Sequence, residues 1–66
     1  MKIILNGEER AVPDSINIKY LFGLLKFDPS KAVVELNRKI LKSDEWGQAV
    51  LKDNDKIEVI SFVGGG

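Results

Sequence analysis

The sequence has no cysteine and no histidine. Without cysteine there is no disulfide framework, no thiolate nucleophile and no thiolate metal ligand. Without histidine the usual general base at neutral pH is missing. An excess of one charge is also lacking: ten Lys plus Arg balance ten Asp plus Glu. That balance argues against a dedicated nucleic-acid binder, which needs basic residues to neutralise phosphates. No apolar run approaches the ~20 residues that span a bilayer. The opening Met1-Lys2-Ile3-Ile4-Leu5-Asn6 is too short for a secretory signal. A soluble cytoplasmic protein is therefore expected, with no membrane partner. Length adds a further limit. A chain of 66 residues makes one domain, and so short a chain buries only about 60% of its unfolded surface. It cannot fill a core and also wall off a deep catalytic cavity, so most enzymes are excluded.

Two prolines and a few turn residues punctuate the chain. Lys2 to Leu5 is a short apolar run that stops at Asn6-Gly7, the strongest short hairpin signal, because a type I′ turn needs positive φ at both central residues. Glu8 to Val12 returns antiparallel, and a two-residue loop sets Glu8 opposite Leu5 and Arg10 opposite Ile3. Pro13-Asp14-Ser15 ends this second strand. A helix follows. Asn17 can cap the N–H of Tyr20 or its neighbour, and Ile16 and Leu21 sit at the two positions of a hydrophobic staple. Ile18, Leu21, Phe22 and Leu25 form an i, i+3, i+4, i+7 stripe. Gly23 lies inside the helix at a cost of roughly 1 kcal/mol relative to alanine, which close packing would explain. Asp28-Pro29-Ser30 closes the helix.

Ala32 to Leu36 reads as a strand, Asn37-Arg38 as a turn and Lys39 to Leu41 as a short strand. Ser43-Asp44-Glu45-Trp46 reads as one helical turn capped by Ser43 or Asp44, with Trp46 plugging it onto the domain and Phe22 also in the core. Asp53-Asn54-Asp55 is a turn cluster. Lys56 to Val63 is the last strand, and Gly64-Gly65-Gly66 ends the sequence. The order β-β-α-β-β-β implies an α+β layer, a mixed sheet curled over one helix, with the first and last strands parallel. This is the β-grasp, or ubiquitin-like, fold. It spans residues 1–63, with 64–66 as a tail.

The tail is the feature that asks for chemistry. Glycine lacks Cβ, so the tail is slim and can pass through a narrow channel, reaching about 10 Å past the last strand. A terminal carboxylate on Gly66 can be activated to an acyl-adenylate and attacked by a nucleophile. The bland alternative is a frayed end. Along the last strand, Ile57, Val59, Ser61 and Val63 share one face, and Glu58, Ile60 and Phe62 share the other. Either the strand is buried on both sides or one set forms an exposed apolar patch for partner enzymes. Ile60 and Phe62 are the candidate docking residues, with Phe62 nearest the tail. Asp53, Asp55 and Glu58 could steer a basic partner, although solvated turn charges are the simpler account.

The chain resembles the ThiS family of sulfur carriers in thiamin thiazole biosynthesis. The likeness covers the whole chain. It rests on Asn6-Gly7, Val34-Glu35-Leu36-Asn37, Ser43-Asp44-Glu45-Trp46, Lys52-Asp53-Asn54-Asp55-Lys56-Ile57-Glu58 and Phe62-Val63-Gly64-Gly65-Gly66. The resemblance implies that an E1-like adenylyltransferase (ThiF type) activates Gly66 with ATP and magnesium. A persulfide from a donor such as a cysteine desulfurase then makes a thiocarboxylate. Thiazole synthase (ThiG type) accepts the sulfur. ATP and magnesium bind the partner, so the chain carries no cofactor or metal and is not itself an enzyme. A carrier for molybdopterin synthesis, a ubiquitin-like modifier and an inert interaction domain are the alternatives.

Overall fold

The computed structural model describes residues 1–26 and 28–61. Strand β1 (Lys2–Leu5) and strand β2 (Glu8–Ala11) form the first hairpin. Its register pairs Ile3 with Arg10 and Leu5 with Glu8, as the two-residue loop requires. Asn6 and Gly7 both have positive φ, at 49° and 84°. In this pair Ile3 and Leu5 are buried while all of β2 is exposed, so the apolar side comes from β1 alone.

Helix α1 (Ile18–Leu25) begins where the sequence indicates: Asn17 Oδ1 accepts the Tyr20 N–H at 2.7 Å. Asn17 Nδ2 also donates to the Gly47 carbonyl, tying the helix start to the turn beyond Trp46. Ile18, Leu21 and Phe22 are buried, with Ile16 beside them. The helix stops earlier than the proline signal suggests. Lys26 takes the left-handed conformation at φ 58°, and its N–H returns to the Phe22 carbonyl, so the last turn is sealed before Asp28 is reached. Asp28 instead caps a separate 3-10 turn, Pro29–Lys31. Close packing does not explain Gly23, since a Cβ placed there meets nothing within 4 Å.

Strands β3 (Ala32–Leu36) and β4 (Lys39–Leu41) make a second hairpin, with Asn37 and Arg38 at φ 50° and 72°. A 3-10 turn at Ser43–Glu45 follows. Neither Ser43 nor Asp44 caps it. The Lys42 N–H donates to the Glu45 carboxylate at 2.9 Å, so the cap reaches back from the end of the turn. Trp46 is buried, stacks at 4.7 Å and 55° on Phe22, and donates from Nε1 to the Leu41 carbonyl. It joins the helix, the turn and β4 as the sequence implies.

Strand β5 (Lys56–Ser61) completes a five-stranded sheet of order β2-β1-β5-β3-β4. It lies parallel to β1 and antiparallel to β3, at the centre of the sheet. Ile3, Leu5, Val34, Ile57 and Val59 line the face that packs on Ile18, Leu21 and Phe22. The expected mixed sheet over one helix is therefore the observed architecture. No helix among the described residues is long and apolar enough to cross a membrane.

Two tests follow from this packing. Trp46→Ala should cost about 3–5 kcal/mol of stability in denaturant unfolding, because it removes a buried aromatic from the joint of three elements. Asp28 accepts both the hydroxyl (2.7 Å) and the N–H (3.0 Å) of Ser30. Those bonds, the hydroxyl's first, hold its carboxyl below the usual value. A depressed carboxyl stabilises the fold at pH above its unfolded value, and that contribution fades as pH falls through its folded value. Ser30→Ala should move the Asp28 titration back up when followed by carboxyl NMR. An unchanged titration would show that the hydroxyl bond does not set it.

Candidate functional site

The candidate site is the open face of the sheet where β5 runs out toward the C-terminus. Alternation along β5 turns Ile57 and Val59 into the core and leaves Glu58 and Ile60 on the other side. Nothing covers that second side among the described residues. Ile60 is 53% exposed, so a central strand buried on both faces is ruled out at this position. Among the described residues the one α-helix covers one face of the sheet only.

Register places the neighbours. Ile60 faces Val33 directly across the β3 pairing, and Glu58 faces Glu35. Glu35 in turn faces Ile40 on β4, which is 63% exposed. The open face therefore carries Ile60, Val33 and Ile40 around a pair of carboxylates. Like charges directly opposite each other destabilise a sheet. Arg38 and Lys56 line a shallow depression on this face together with Glu35 and Glu58. The face thus offers exposed apolar side chains beside a patch of mixed charge. No polar or charged residue is buried among the described ones.

Of the residues singled out in the sequence, Ile60 lies on this face. Phe62, Gly64, Gly65 and Gly66 lie outside the described residues. The acidic candidates separate. Asp53 accepts the Lys2 N–H, and Asp55 accepts the Lys52 N–H and the Asn37 carboxamide, so both hold the loop before β5. Glu58 alone among them stands on the open face. Val33, Glu35 and Ile40 were not singled out. Their signal is pairing register, which a single strand read alone does not contain.

A mixed five-stranded sheet over one helix, with its C-terminal strand in the centre beside β1, defines a β-grasp protein. The ThiS family pattern matches residues 3–66. The chain belongs to the ThiS family. It is 32% identical over 63 residues to the sulfur carrier protein ThiS of Bacillus subtilis, covering 94% of this chain and 96% of that one. The crystal structure of the thiamine biosynthesis protein ThiS from Geobacter metallireducens superposes with a TM-score of 0.87 at 32% identity, covering all of both chains. The chain is also 39% identical, over its whole length, to a thiazole synthase of Paramagnetospirillum magneticum, of which it spans 20%.

The two faces of β5 give a direct test. Ile60→Ala should change stability by no more than about 0.5 kcal/mol, as exposed substitutions do. Ile57→Ala, at a fully buried position, should cost about 2–5 kcal/mol. Equal losses in chemical denaturation would contradict the open face.

Proposed function

We propose that the chain is a sulfur carrier for thiazole formation, acting through the carboxylate of Gly66. The observation that carries this reading is the family match, which runs through the glycines to residue 66. An E1-like adenylyltransferase of the ThiF type docks on the open face around Ile60. Phe62, two residues before the glycines in the sequence, is the second proposed docking residue. Ile60 lies six residues before Gly66, so a partner covering it can receive the carboxylate within roughly 20 Å of extended chain.

The chemistry needs no side chain of this protein. A Gly66 carboxylate oxygen attacks the α-phosphorus of ATP, and pyrophosphate leaves. A persulfide sulfur on a donor such as a cysteine desulfurase then attacks the carbonyl carbon, and AMP leaves. A thiol cleaves the resulting acyl disulfide, leaving the thiocarboxylate here and a disulfide on the donor side. ATP and magnesium are held by the activating enzyme, so the chain is a co-substrate and carries no cofactor. It acts in the cytoplasm, without nucleic acid or membrane.

Thiazole synthase of the ThiG type is the acceptor. The thiazole synthase relative supports this choice over molybdopterin synthesis, because a region like this chain makes up 20% of that protein. A carrier and its acceptor joined in one polypeptide are held at high effective concentration. Modification of lysines in the manner of ubiquitin has no such support.

Incubation with a ThiF-type enzyme, ATP and a persulfide source should raise the intact mass by about 16 Da, one oxygen replaced by sulfur. A chain lacking Gly65 and Gly66, shown by circular dichroism to be folded, should gain no mass. The reading fails if the full chain stays unmodified while the same enzyme charges another carrier, or if the truncated chain is charged.

A further inference from the structure

Strand β5 outruns its parallel partner. The backbone of β1 serves it only as far as Ile57: the Ile4 N–H donates to the Asp55 carbonyl and the Asn6 N–H to the Ile57 carbonyl, both at 2.8 Å. At Asn6-Gly7 the chain turns away. The next outward-facing backbone groups on that edge of β5 belong to Val59, and no residue of β1 is left to meet them. The Asn6 side chain takes that place. Its Oδ1 accepts the Val59 N–H at 2.8 Å, and its Nδ2 donates to the Val59 carbonyl at 3.4 Å. A carboxamide presents an acceptor and a donor side by side, as a strand residue does, so it extends β1 by one rung.

The second hairpin does the same at the other end. Asn37 also opens a turn at positive φ, and its Oδ1 accepts the Lys56 N–H at 3.0 Å. Two turn asparagines, one from each hairpin, thus hold the start and the late part of the strand that leads to the C-terminus. Asparagine suits both demands, since it tolerates the left-handed conformation and carries the carboxamide.

We propose that Asn6 is a positioning residue for the carrier reaction: its grip on Val59 fixes how β5 leaves the sheet, and so where the Gly66 carboxylate arrives relative to the docking face. This rests on the sulfur-carrier reading. Ile60, the residue after Val59, presents the face on which the partner sits. The partner must take Ile60 and the carboxylate at once, so the spacing between them matters. On the β3 side Ile60 is held by its pairing with Val33. On the β1 side Asn6 supplies the only side-chain bonds to β5 backbone beyond Ile57 among the described residues. With the grip removed, the docking face remains and the carboxylate is delivered less often in the reactive pose.

The role can be separated from simple stability. Asn6→Gly keeps the turn, because glycine adopts positive φ freely, and removes both bonds to Val59. Asn6→Asp keeps the acceptor for the Val59 N–H and loses the donor. In ATP–pyrophosphate exchange with a ThiF-type enzyme, Asn6→Gly should lower kcat about tenfold while KM stays within about twofold, and Asn6→Asp should fall between. Ile60→Ala, a docking change, should do the reverse and raise KM. Amide hydrogen exchange should quicken at Val59 in Asn6→Gly and stay slow at Ile57. Wild-type kcat in Asn6→Gly, or unaltered exchange at Val59, overturns the proposal. If the unaltered chain is never adenylated, the carrier reading falls and the delivery role with it, while exchange at Val59 still decides whether the grip exists.

Discussion

The parallel pairing of β1 with β5 is the constraint on which the rest of the structure depends. It joins the two ends of the described chain across more than fifty residues, and that closure must be made before the core is complete. Parallel strands cannot be joined by a tight turn, so a crossover has to lie between them. Helix α1 and the second hairpin supply it. Once β5 is inserted between β1 and β3, Ile57 and Val59 complete the core begun by Ile3, Leu5 and Val34. Hydrophobic burial on one face and backbone pairing on both edges then act on the same short strand.

That arrangement leaves an asymmetry with functional consequences. A single eight-residue helix covers one side of five strands. The other side keeps Ile60 and Ile40 in water beside Glu35 and Glu58. The uncovered face lies on the strand that precedes the C-terminal residues.

Much of the local precision comes from side chains bonding to backbone where ladders end. Asn6 and Asn37 meet β5, Asn17 meets Tyr20 and Gly47, Asp28 meets Ser30, Glu45 meets Lys42, and Asp53 and Asp55 meet Lys2 and Lys52. A small domain has short elements and therefore many element ends, each with unpaired N–H or C=O groups. Short polar side chains meet these needs without enlarging the core. The acidic residues around residue 54 belong to this set.

By itself the sequence determined the order of elements, the two hairpin turns, the Asn17 cap, the buried stripe of α1, the anchoring role of Trp46 and the family likeness. These depend on local spacing and on φ preferences, which neighbouring residues impose on one another. The tertiary structure decided three further matters. It placed the end of α1 at Lys26, because a left-handed cap competes with the more distant proline signal. It moved the cap of the 43–45 turn to Glu45, because a carboxylate can reach back to Lys42. It also exposed Ile60 and grouped it with Val33, Glu35 and Ile40. A strand that is apolar on both faces cannot reveal which face has a partner layer. That depends on how many helices are available to cover the sheet, and here there is one.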